Sequence, residues 1–351
     1  MKTGIVTFPE AINYGTSLQA AALGKALAPY SDEVVFLRHR CEEIDRSNAV
    51  FDIKSMKDPK YTAAHLYNLT AARERKKNFD RFIAEHIPLS DKKPSGVDTV
   101  VAGSDQIWNV DLTGGDLYYF LDFEKKNTRK TAYAASFGLS ALDKRYHADL
   151  KRLLADFDTL SVRERTAAAI IKDICDIDVP VVVDPTLLIT PEEWNSIAAP
   201  TSGKGGYIYV YTVFNSEKLW KFAYDLSKKT GLPIKTVSYS KLHRHDAEYS
   251  FTAGPAEWLR YIADAEYVIT NSFHGFAFSV NFGKQFFFEL PPAASGVSSR
   301  LTDMAERYGL LSREISSADM TAVLEPSVFA SALREDAAFS REFIRDQIFK
   351  K

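Results

Sequence analysis

Short β-branched runs that alternate with helical segments are the feature of this sequence that most restricts its fold. The runs of the first half are Gly4–Phe8, Glu33–Leu37, Thr99–Ala102, Lys130–Ala135, Thr159–Val162 and Val179–Val183. Those of the second half are Tyr207–Val213, Ile234–Ser238, Tyr267–Thr270 and Gln285–Phe288. Helical stretches between successive strands allow the strands to run parallel, with helices on both faces of the sheet. The sequence therefore predicts an α/β fold of doubly wound parallel sheets.

The length and one break in the pattern indicate two domains. The chain has 351 residues, more than one compact core usually accommodates. A capping box that begins at Thr190, followed by a Pro/Thr/Ser/Gly-rich stretch at 200–206, separates the two sets of strands. We therefore expect two Rossmann-like domains that face a cleft, residues 1–190 and 191–325. A C-terminal helical segment, 326–351, is expected to pack back on the first domain.

A helical insert at about 55–90 interrupts the first domain. It carries a basic run from Arg73 to Lys77 beside an apolar stripe. The pattern favours a solvated helix face for the basic run, with an acidic membrane surface or a phosphorylated partner as the alternatives.

Charge and cysteine content exclude several classes of partner. The sequence has 44 Lys and Arg against 46 Asp and Glu, a net charge of −2, so no nucleic-acid partner is expected. Cys41 and Cys175 show no metal-ligand or disulfide spacing, so no metal site is predicted. No window reaches the roughly 18 apolar residues of a membrane span. We expect a cytoplasmic protein, with peripheral contact at the inner face of the membrane left open.

Polar residues that directly follow a strand mark the candidate ligand site, because ligands of open parallel sheets bind outside the carboxyl ends of the strands. Asn13 and Tyr14 precede a helix N-terminus that favours an anion, although an ordinary turn and cap explain them equally well. Asp105, Gln106 and Trp108 supply hydrogen-bonding groups and an aromatic face. We expect these residues to form a wall of the cleft that suits a sugar.

Two further strand ends carry ionisable groups. The guanidinium of Arg163 either binds a carboxylate or phosphate, or only pairs with Glu164 or Asp184. The imidazole of His274 lies at the start of an apolar helix, where it either binds a ligand or simply caps the helix. No GxxxxGK[ST], GxGxxG, GxSxG or HExxH motif is present, which disfavours the enzyme classes that those motifs define.

Taken together, these strings resemble the polysaccharide pyruvyl transferase family over roughly residues 3–311. The matching strings are NYGTSLQAAAL, VAGSDQIWN, YAASFG, SVRE, VDPTLL and TNSFHGFAFSVNFGKQF. The resemblance implies a fold similar to the GT-B glycosyltransferases, with phosphoenolpyruvate as donor. It implies as acceptor a sugar with two nearby hydroxyls, linked to a nucleotide or a lipid, and a cyclic pyruvate ketal as product. It implies no metal and no cofactor, since phosphoenolpyruvate is a co-substrate.

The resemblance also assigns residues. Arg163 in SVRE matches an arginine implicated in phosphoenolpyruvate binding, and His274 in SFHG matches the functional histidine of the family. Characterised members often show Arg-Leu-His where this chain has Ser272, Phe273 and His274, which removes one cation from the donor site. Arg300, which opens a helix after a Pro/Ser/Gly loop, is the expected replacement.

The predicted roles follow from these matches. We expect His274 and Asp105 to share the acid and base roles, in either order. The expected donor-binding residues are Arg163, Ser272, His274 and Arg300. The expected acceptor-binding residues are Asn13, Tyr14, Asp105, Gln106 and Trp108.

Two other functions stay open at this point. A GT-B-type nucleotide-sugar glycosyltransferase uses the same kind of cleft, and a non-catalytic carbohydrate-binding protein has no use for Arg163 and His274 in one place. We therefore predict that these two side chains converge on one interdomain site, although 110 residues separate them. Opposite locations would favour the carbohydrate-binding alternative.

Overall fold

The computed structural model describes residues 1–47, 59–123, 127–201, 203, 205–242, 244–291 and 298–349. Its strands are β1 (Lys2–Val6), β2 (Glu33–Leu37), β3 (Leu89–Ser90), β4 (Thr99–Ala102), β5 (Arg129–Ala132), β6 (Ile208–Tyr211), β7 (Ile234–Val237), β8 (Glu248–Ser250), β9 (Tyr267–Thr270) and β10 (Gln285–Phe288). Its α-helices are α1 (Tyr14–Leu27), α2 (Glu42–Ser47), α3 (Pro59–His86), α4 (Val110–Thr113), α5 (His147–Leu154), α6 (Arg165–Cys175), α7 (Pro191–Ile197), α8 (Glu217–Thr230), α9 (Pro255–Asp264), α10 (Phe273–Asn281), α11 (Ser298–Arg307) and α12 (Ser327–Phe343).

The first sheet is parallel throughout, in the order β3-β2-β1-β4-β5. Ile5 of β1 lies opposite Phe36 on one side and Val101 on the other, and all three are fully buried. Such continuous apolar strands are typical of a sheet covered on both faces. The predicted strands Thr159–Val162 and Val179–Val183 are present only as isolated bridges that extend this sheet past β5.

The second sheet has the order β10-β9-β6-β7-β8, again parallel. Numbered from its own first strand, this is the same 3-2-1-4-5 order as the first sheet, the order of a Rossmann-like half. The predicted fold class, two Rossmann-like domains, is therefore confirmed. In each sheet the second and third strands lie on one side of the first strand, and the fourth and fifth lie on the other side. The crevice where ligands of such sheets bind lies at this switch point, so the loops after β1, β4, β6 and β9 border it.

The insert of the first domain forms α3 and contacts the second domain. The predicted insert begins at about residue 55, and 55–58 lie outside the described residues. Arg75 is buried and donates hydrogen bonds to the carbonyl oxygens of Phe251 (2.9 Å) and Ser238 (3.4 Å). The prediction of a solvated basic face is therefore wrong for Arg75, while Lys76 and Lys77 are exposed. A guanidinium has five donors, which lets it satisfy backbone carbonyls across a domain boundary.

The C-terminal helix packs on the first domain, as predicted. Ser340 of α12 accepts a hydrogen bond from the backbone N–H of Val183 at 3.0 Å. The ring of Phe343 contacts Tyr133, and Phe349 stacks on Tyr30 with ring centroids 5.5 Å apart. The first domain is thus completed by residues from the far end of the chain.

Candidate functional site

Arg163 is the centre of a buried group of ionisable side chains between the two domains. Its guanidinium is 1% exposed, and Nη1 lies 2.7 Å from Asp184 Oδ2. Nη2 lies 3.4 Å from Asp105 Oδ1, and Nε lies 3.9 Å from Glu164 Oε2. With His274 and Arg300, described below, these residues form what we call the charge cluster.

The two aspartates of the cluster are held by neutral donors as well as by Arg163. Thr186 donates both its backbone N–H (3.0 Å) and its hydroxyl (2.8 Å) to Asp184 Oδ1. The hydroxyl of Thr16, in the first turn of α1, donates to Asp105 Oδ2 at 2.6 Å. Asp105 has φ 76°, an uncommon backbone conformation for a residue with a side chain, of the kind found at functional sites.

Both aspartates are therefore ionised at neutral pH. Burial by itself raises the pKa of Asp105, but the positive charge of Arg163 outweighs it and holds that pKa below its ordinary value. Burial likewise opposes ionisation of Asp184, yet His274 and Arg163 hold its pKa well below the ordinary range. Because its pKa is lowered, Asp105 is a weak base and stays ionised in its ion pair with Arg163.

His274 is the second residue of α10 and belongs to the second domain, but its neighbours belong to the first. Nε2 lies 3.7 Å from Asp184 Oδ2, the same oxygen that binds Arg163. A Cβ atom added to Gly15 of α1 would lie 2.1 Å from His274 Nδ1. The structure thus brings Arg163 and His274 to one carboxylate, as the sequence predicts. The two side chains do not lie at the opposite locations that would favour a non-catalytic carbohydrate-binding protein.

Arg300 contrasts with Arg163 in having no ion pair. It is 5% exposed, its Nε is fully enclosed, and no hydrogen bond or salt bridge joins its guanidinium to any described residue. The ring of Phe273 contacts both guanidinium groups, with Cζ of Arg163 4.5 Å and Cζ of Arg300 5.8 Å from its centroid. Burial and then the charge of Arg163 lower the pKa of Arg300 to about 10, so it still carries its charge at pH 7.

Glu164 is the third carboxyl of the cluster. Its Oε1 accepts a hydrogen bond from the hydroxyl of Ser136 at 2.8 Å, and its Oε2 is enclosed without a hydrogen-bond partner. Burial raises the pKa of Glu164, which favours the neutral acid.

A cavity of about 290 Å³ opens beside the cluster. The buried residues Arg163, Asp184 and Arg300 of the cluster line it together with Phe273, which is also buried, and Arg165, Asp303, Arg307 and Asp336 add further charged groups. The apolar part of the lining consists of Val181, Val182, Val183, Leu187, Met304, Tyr308 and Phe339. An apolar pocket with a few convergent charged groups is the usual form of a small-molecule site.

Two of the predicted acceptor residues lie in the protein core. Trp108 is fully buried, stacks on Phe120 and donates its indole N–H to the carbonyl oxygen of Tyr119 at 3.0 Å. Tyr14 is 2% exposed, stacks on Trp258 of the second domain and donates its hydroxyl to Ala253 O at 3.2 Å. The prediction that these rings face a sugar is wrong, because both faces are occupied by packing.

The remaining predicted residues are placed more variously. Asn13 is exposed and caps α1 by accepting the backbone N–H of Thr16 at 3.2 Å. Gln106 is half-buried and accepts a hydrogen bond from Asn109. Ser272 caps α10 by accepting the N–H of Gly275 at 3.3 Å, and it is not among the described residues that line the cavity. Their predicted binding roles stay predictions.

Metal and membrane features were also expected to be absent. Within the described ranges no group of three or more His, Cys, Asp or Glu side chains is arranged to hold a metal ion. No helix of the described chain is long and apolar enough to cross a membrane.

Sequence reasoning missed the connecting residues of the cluster. Asp184 was foreseen only as one possible partner of Arg163, although it follows an apolar run directly and precedes Pro-Thr, a turn signal at a strand end. Gly15 and Phe273 carried no signal of their own, because their importance lies in what packs against them.

Two sheets of identical order, with a buried charge cluster and a cavity between them, define a two-domain α/β protein with a small-molecule site at its domain boundary. The chain belongs to the polysaccharide pyruvyl transferase family, whose model matches residues 13–288. The family is one of transferases. No curated protein matches the chain significantly.

Solved structures of similar fold have low sequence identity. S. aureus MnaA, solved with UDP, is 12% identical over 99% of this chain and 96% of that chain, with a TM-score of 0.48. UDP-GlcNAc 2-epimerase from Neisseria meningitidis, bound to UDP-GlcNAc, is 11% identical over 99% and 96%, with a TM-score of 0.42. The E. coli heptosyltransferase WaaC with ADP is 11% identical over 96% and 100%, with a TM-score of 0.39. We assign the fold of this chain from the strand order of its own two sheets.

Proposed function

We propose that this protein transfers the pyruvyl group of phosphoenolpyruvate onto two hydroxyls of a sugar, which forms a cyclic ketal and releases phosphate. Membership of the pyruvyl transferase family supports this reaction. The single structural observation that carries it is the buried guanidinium of Arg300, which lines the cavity and forms no ion pair with any described residue.

A buried cation without a direct ion-pair partner is unfavourable, because it has lost its hydration and no counter-charge is in contact with it. An anion that enters the cavity meets Arg300 and Arg163 together, because both side chains line it. Phosphoenolpyruvate has a phosphate and a carboxylate, and both are groups that guanidinium binds by charge-assisted hydrogen bonds. Arg300 thereby supplies the cation that characterised family members often have at the position of Ser272.

The proposed reaction balances without a further reagent. One hydroxyl oxygen of the acceptor bonds to C2 of phosphoenolpyruvate, and a proton adds to the methylene carbon, which becomes the methyl group. The C2–O bond to phosphate then breaks, and the second hydroxyl oxygen bonds to C2. Of the two protons lost by the hydroxyls, one is retained in the methyl group and the other leaves with phosphate.

The described residues divide between these steps. Arg163 and Arg300 hold the donor and stabilise the leaving phosphate, while His274 carries a proton between oxygen and carbon. Asp105 acts by holding Arg163, since its lowered pKa makes it a weak base. The exposed N-terminus of α1 at Asn13 is the proposed acceptor side, for a nucleotide- or lipid-linked sugar, the latter reached by peripheral contact with the inner face of the membrane.

Phosphate release tests the proposal. The full chain is incubated with phosphoenolpyruvate and a panel of nucleotide-linked and lipid-linked sugars, and inorganic phosphate is measured over time. Release that requires both donor and acceptor supports the proposal, and Arg300→Met should abolish it while Arg152→Met, an exposed arginine elsewhere, should not.

Thermal shift on the same samples identifies the alternatives. Stabilisation by UDP-sugars with none by phosphoenolpyruvate would contradict the proposal in favour of a nucleotide-sugar glycosyltransferase. Stabilisation by free sugars alone, with no phosphate released in any mixture, would favour a carbohydrate-binding protein.

A further inference from the structure

His274 is held across the domain boundary by two groups of the first domain. On one side, Asp184 Oδ2 lies 3.7 Å from Nε2. On the other side, the backbone of Gly15 lies against the ring, so that an added Cβ would be 2.1 Å from Nδ1 and 2.3 Å from Cγ. Any side chain at position 15 is incompatible with this position of the imidazole.

Gly15 has no other structural reason to be glycine. It lies in the first turn of α1, a 14-residue helix, and it is not among the residues with positive φ. Glycine destabilises a helix relative to alanine, so local propensity favours a different residue here. In the described structure, the contact with His274 explains why position 15 has no side chain.

Asp184 determines which ring nitrogen holds the proton. Arg163 and Thr186 fix the carboxylate, and its low pKa keeps it ionised at neutral pH. An ionised carboxylate facing Nε2 favours a proton on Nε2 and leaves the lone pair on Nδ1. Nε2 is also fully enclosed, which leaves no room there for a substrate atom.

We propose that Gly15 and Asp184 are positioning residues that hold the imidazole of His274 with Nε2 toward Asp184 and Nδ1 toward the N-terminus of α1. The lone pair of Nδ1 then takes up a proton from substrate, on the proposed acceptor side. This inference rests on the proposed function for its chemistry, since the proton is one of the two that the acceptor hydroxyls lose.

The first test compares Gly15→Ala with Gly24→Ala in the full chain. Both glycines lie in α1, so both changes raise helix propensity alike, but Gly24 packs against Phe36, away from His274. Gly15→Ala should lower kcat by roughly 10²-fold, because a displacement of about 1 Å in a reacting group costs that much. The affinity for phosphoenolpyruvate, measured by calorimetry, should stay within about twofold, as Arg163 and Arg300 are untouched. Gly24→Ala should match the wild type in both measurements.

A double-mutant comparison separates positioning from a general disturbance of the interface. In a His274→Ala background, Gly15→Ala should have no further effect on turnover, because the group it displaces is gone. An equal loss of turnover in both backgrounds would overturn the inference, as would a Gly15→Ala enzyme with wild-type kcat.

Histidine ¹⁵N spectra test the geometry without any acceptor. The chain has seven histidines, and His274→Gln assigns the signal of interest. The inference expects a proton on Nε2 in the wild type and a changed signal in Gly15→Ala and Asp184→Asn, but not in Gly24→Ala. A neutral ring with its proton on Nδ1 would overturn it. If no acceptor ever releases phosphate, the proposed function fails while these spectra still decide the positions of the ring nitrogens.

Discussion

Arg163 and Arg300 lie in one buried cluster and contact one phenyl ring, yet their surroundings differ in kind. Arg163 has three carboxyl groups within 4 Å and a raised pKa, since these carboxylates outweigh the cost of burial. Arg300 has no ion pair among the described residues, and burial lowers its pKa to about 10. The first arginine holds the site together, and the second is available to bind an anion. Stability and ligand binding are therefore separable by mutation within the same cluster.

The largest effect is expected from Arg163→Met. The substitution leaves Asp105 and Asp184 buried without their cation, which typically costs about 3 to 5 kcal/mol of unfolding free energy. Urea denaturation of this variant should show that loss, whereas Arg152→Met, which removes only exposed pairs, should leave the midpoint nearly unchanged. Equal midpoints for the two variants would contradict the structural role of Arg163.

Acid should remove the same stabilisation from the native chain. Asp105 and Asp184 have pKa values below their ordinary 3.8, so their contribution is complete above about pH 4 and is lost as pH falls through the folded-state values. A pKa that is lower by 1 in the folded state than in the unfolded state adds about 1.4 kcal/mol to the unfolding free energy. Glu164 changes stability with pH in the opposite direction. Its pKa is raised, so its contribution to the unfolding free energy falls as pH rises above the ordinary pKa of 4.5. Thermal melts from pH 3 to 7 should show a shallower acid limb in Asp184→Asn, and an unchanged limb would contradict the assignment.

Arg300→Met should change stability in the other direction. Arg300 forms no ion pair with any residue that the structure describes, so replacing this buried cation by an apolar side chain of similar length should raise the unfolding free energy by about 1 to 3 kcal/mol. The increase in Tm that phosphoenolpyruvate produces in the wild type should disappear in this variant. A variant that is less stable than the wild type, or that still responds to phosphoenolpyruvate, would place the anion site elsewhere.

Phe273→Leu should have the smallest effect. It removes the ring that both guanidinium groups contact while keeping an apolar residue, and a cation–π contact is worth about 0.5 to 1 kcal/mol. Phosphoenolpyruvate should therefore bind about two- to fivefold more weakly in calorimetry. Phe276→Leu, a core change in the same helix, should leave that affinity unchanged, and a similar loss in both variants would exclude a specific role for the ring.

Much of the fold was predictable because apolar runs and turn signals are local. The predicted bounds of β2, β4, β9 and β10 agree with the structure residue for residue. The short edge strands β3 and β8 were missed, since two or three residues show no periodicity.

The site was predictable at strand ends and not beyond them. Arg163, His274 and Asp105 became candidates because they follow predicted strands, and the family resemblance then supported Arg163 and His274. Trp108 lies only three residues after Asp105, but its indole is fully buried in the core. The sequence does not show which way a side chain points after a strand ends. For the same reason it did not show that Tyr14 packs on the second domain.

The hydrogen bond between Ser340 and the backbone of Val183 also concerns how the protein is made. Val183 precedes Asp184, so the segment that bears a central carboxylate of the site is completed by a residue translated more than 150 positions later. A nascent chain that has emerged through the second domain still lacks this contact and the ring of Phe343. The ribosome must therefore deliver α12 before the first domain reaches its final form, and a chain that terminates before Ser340 lacks the hydrogen bond beside Asp184.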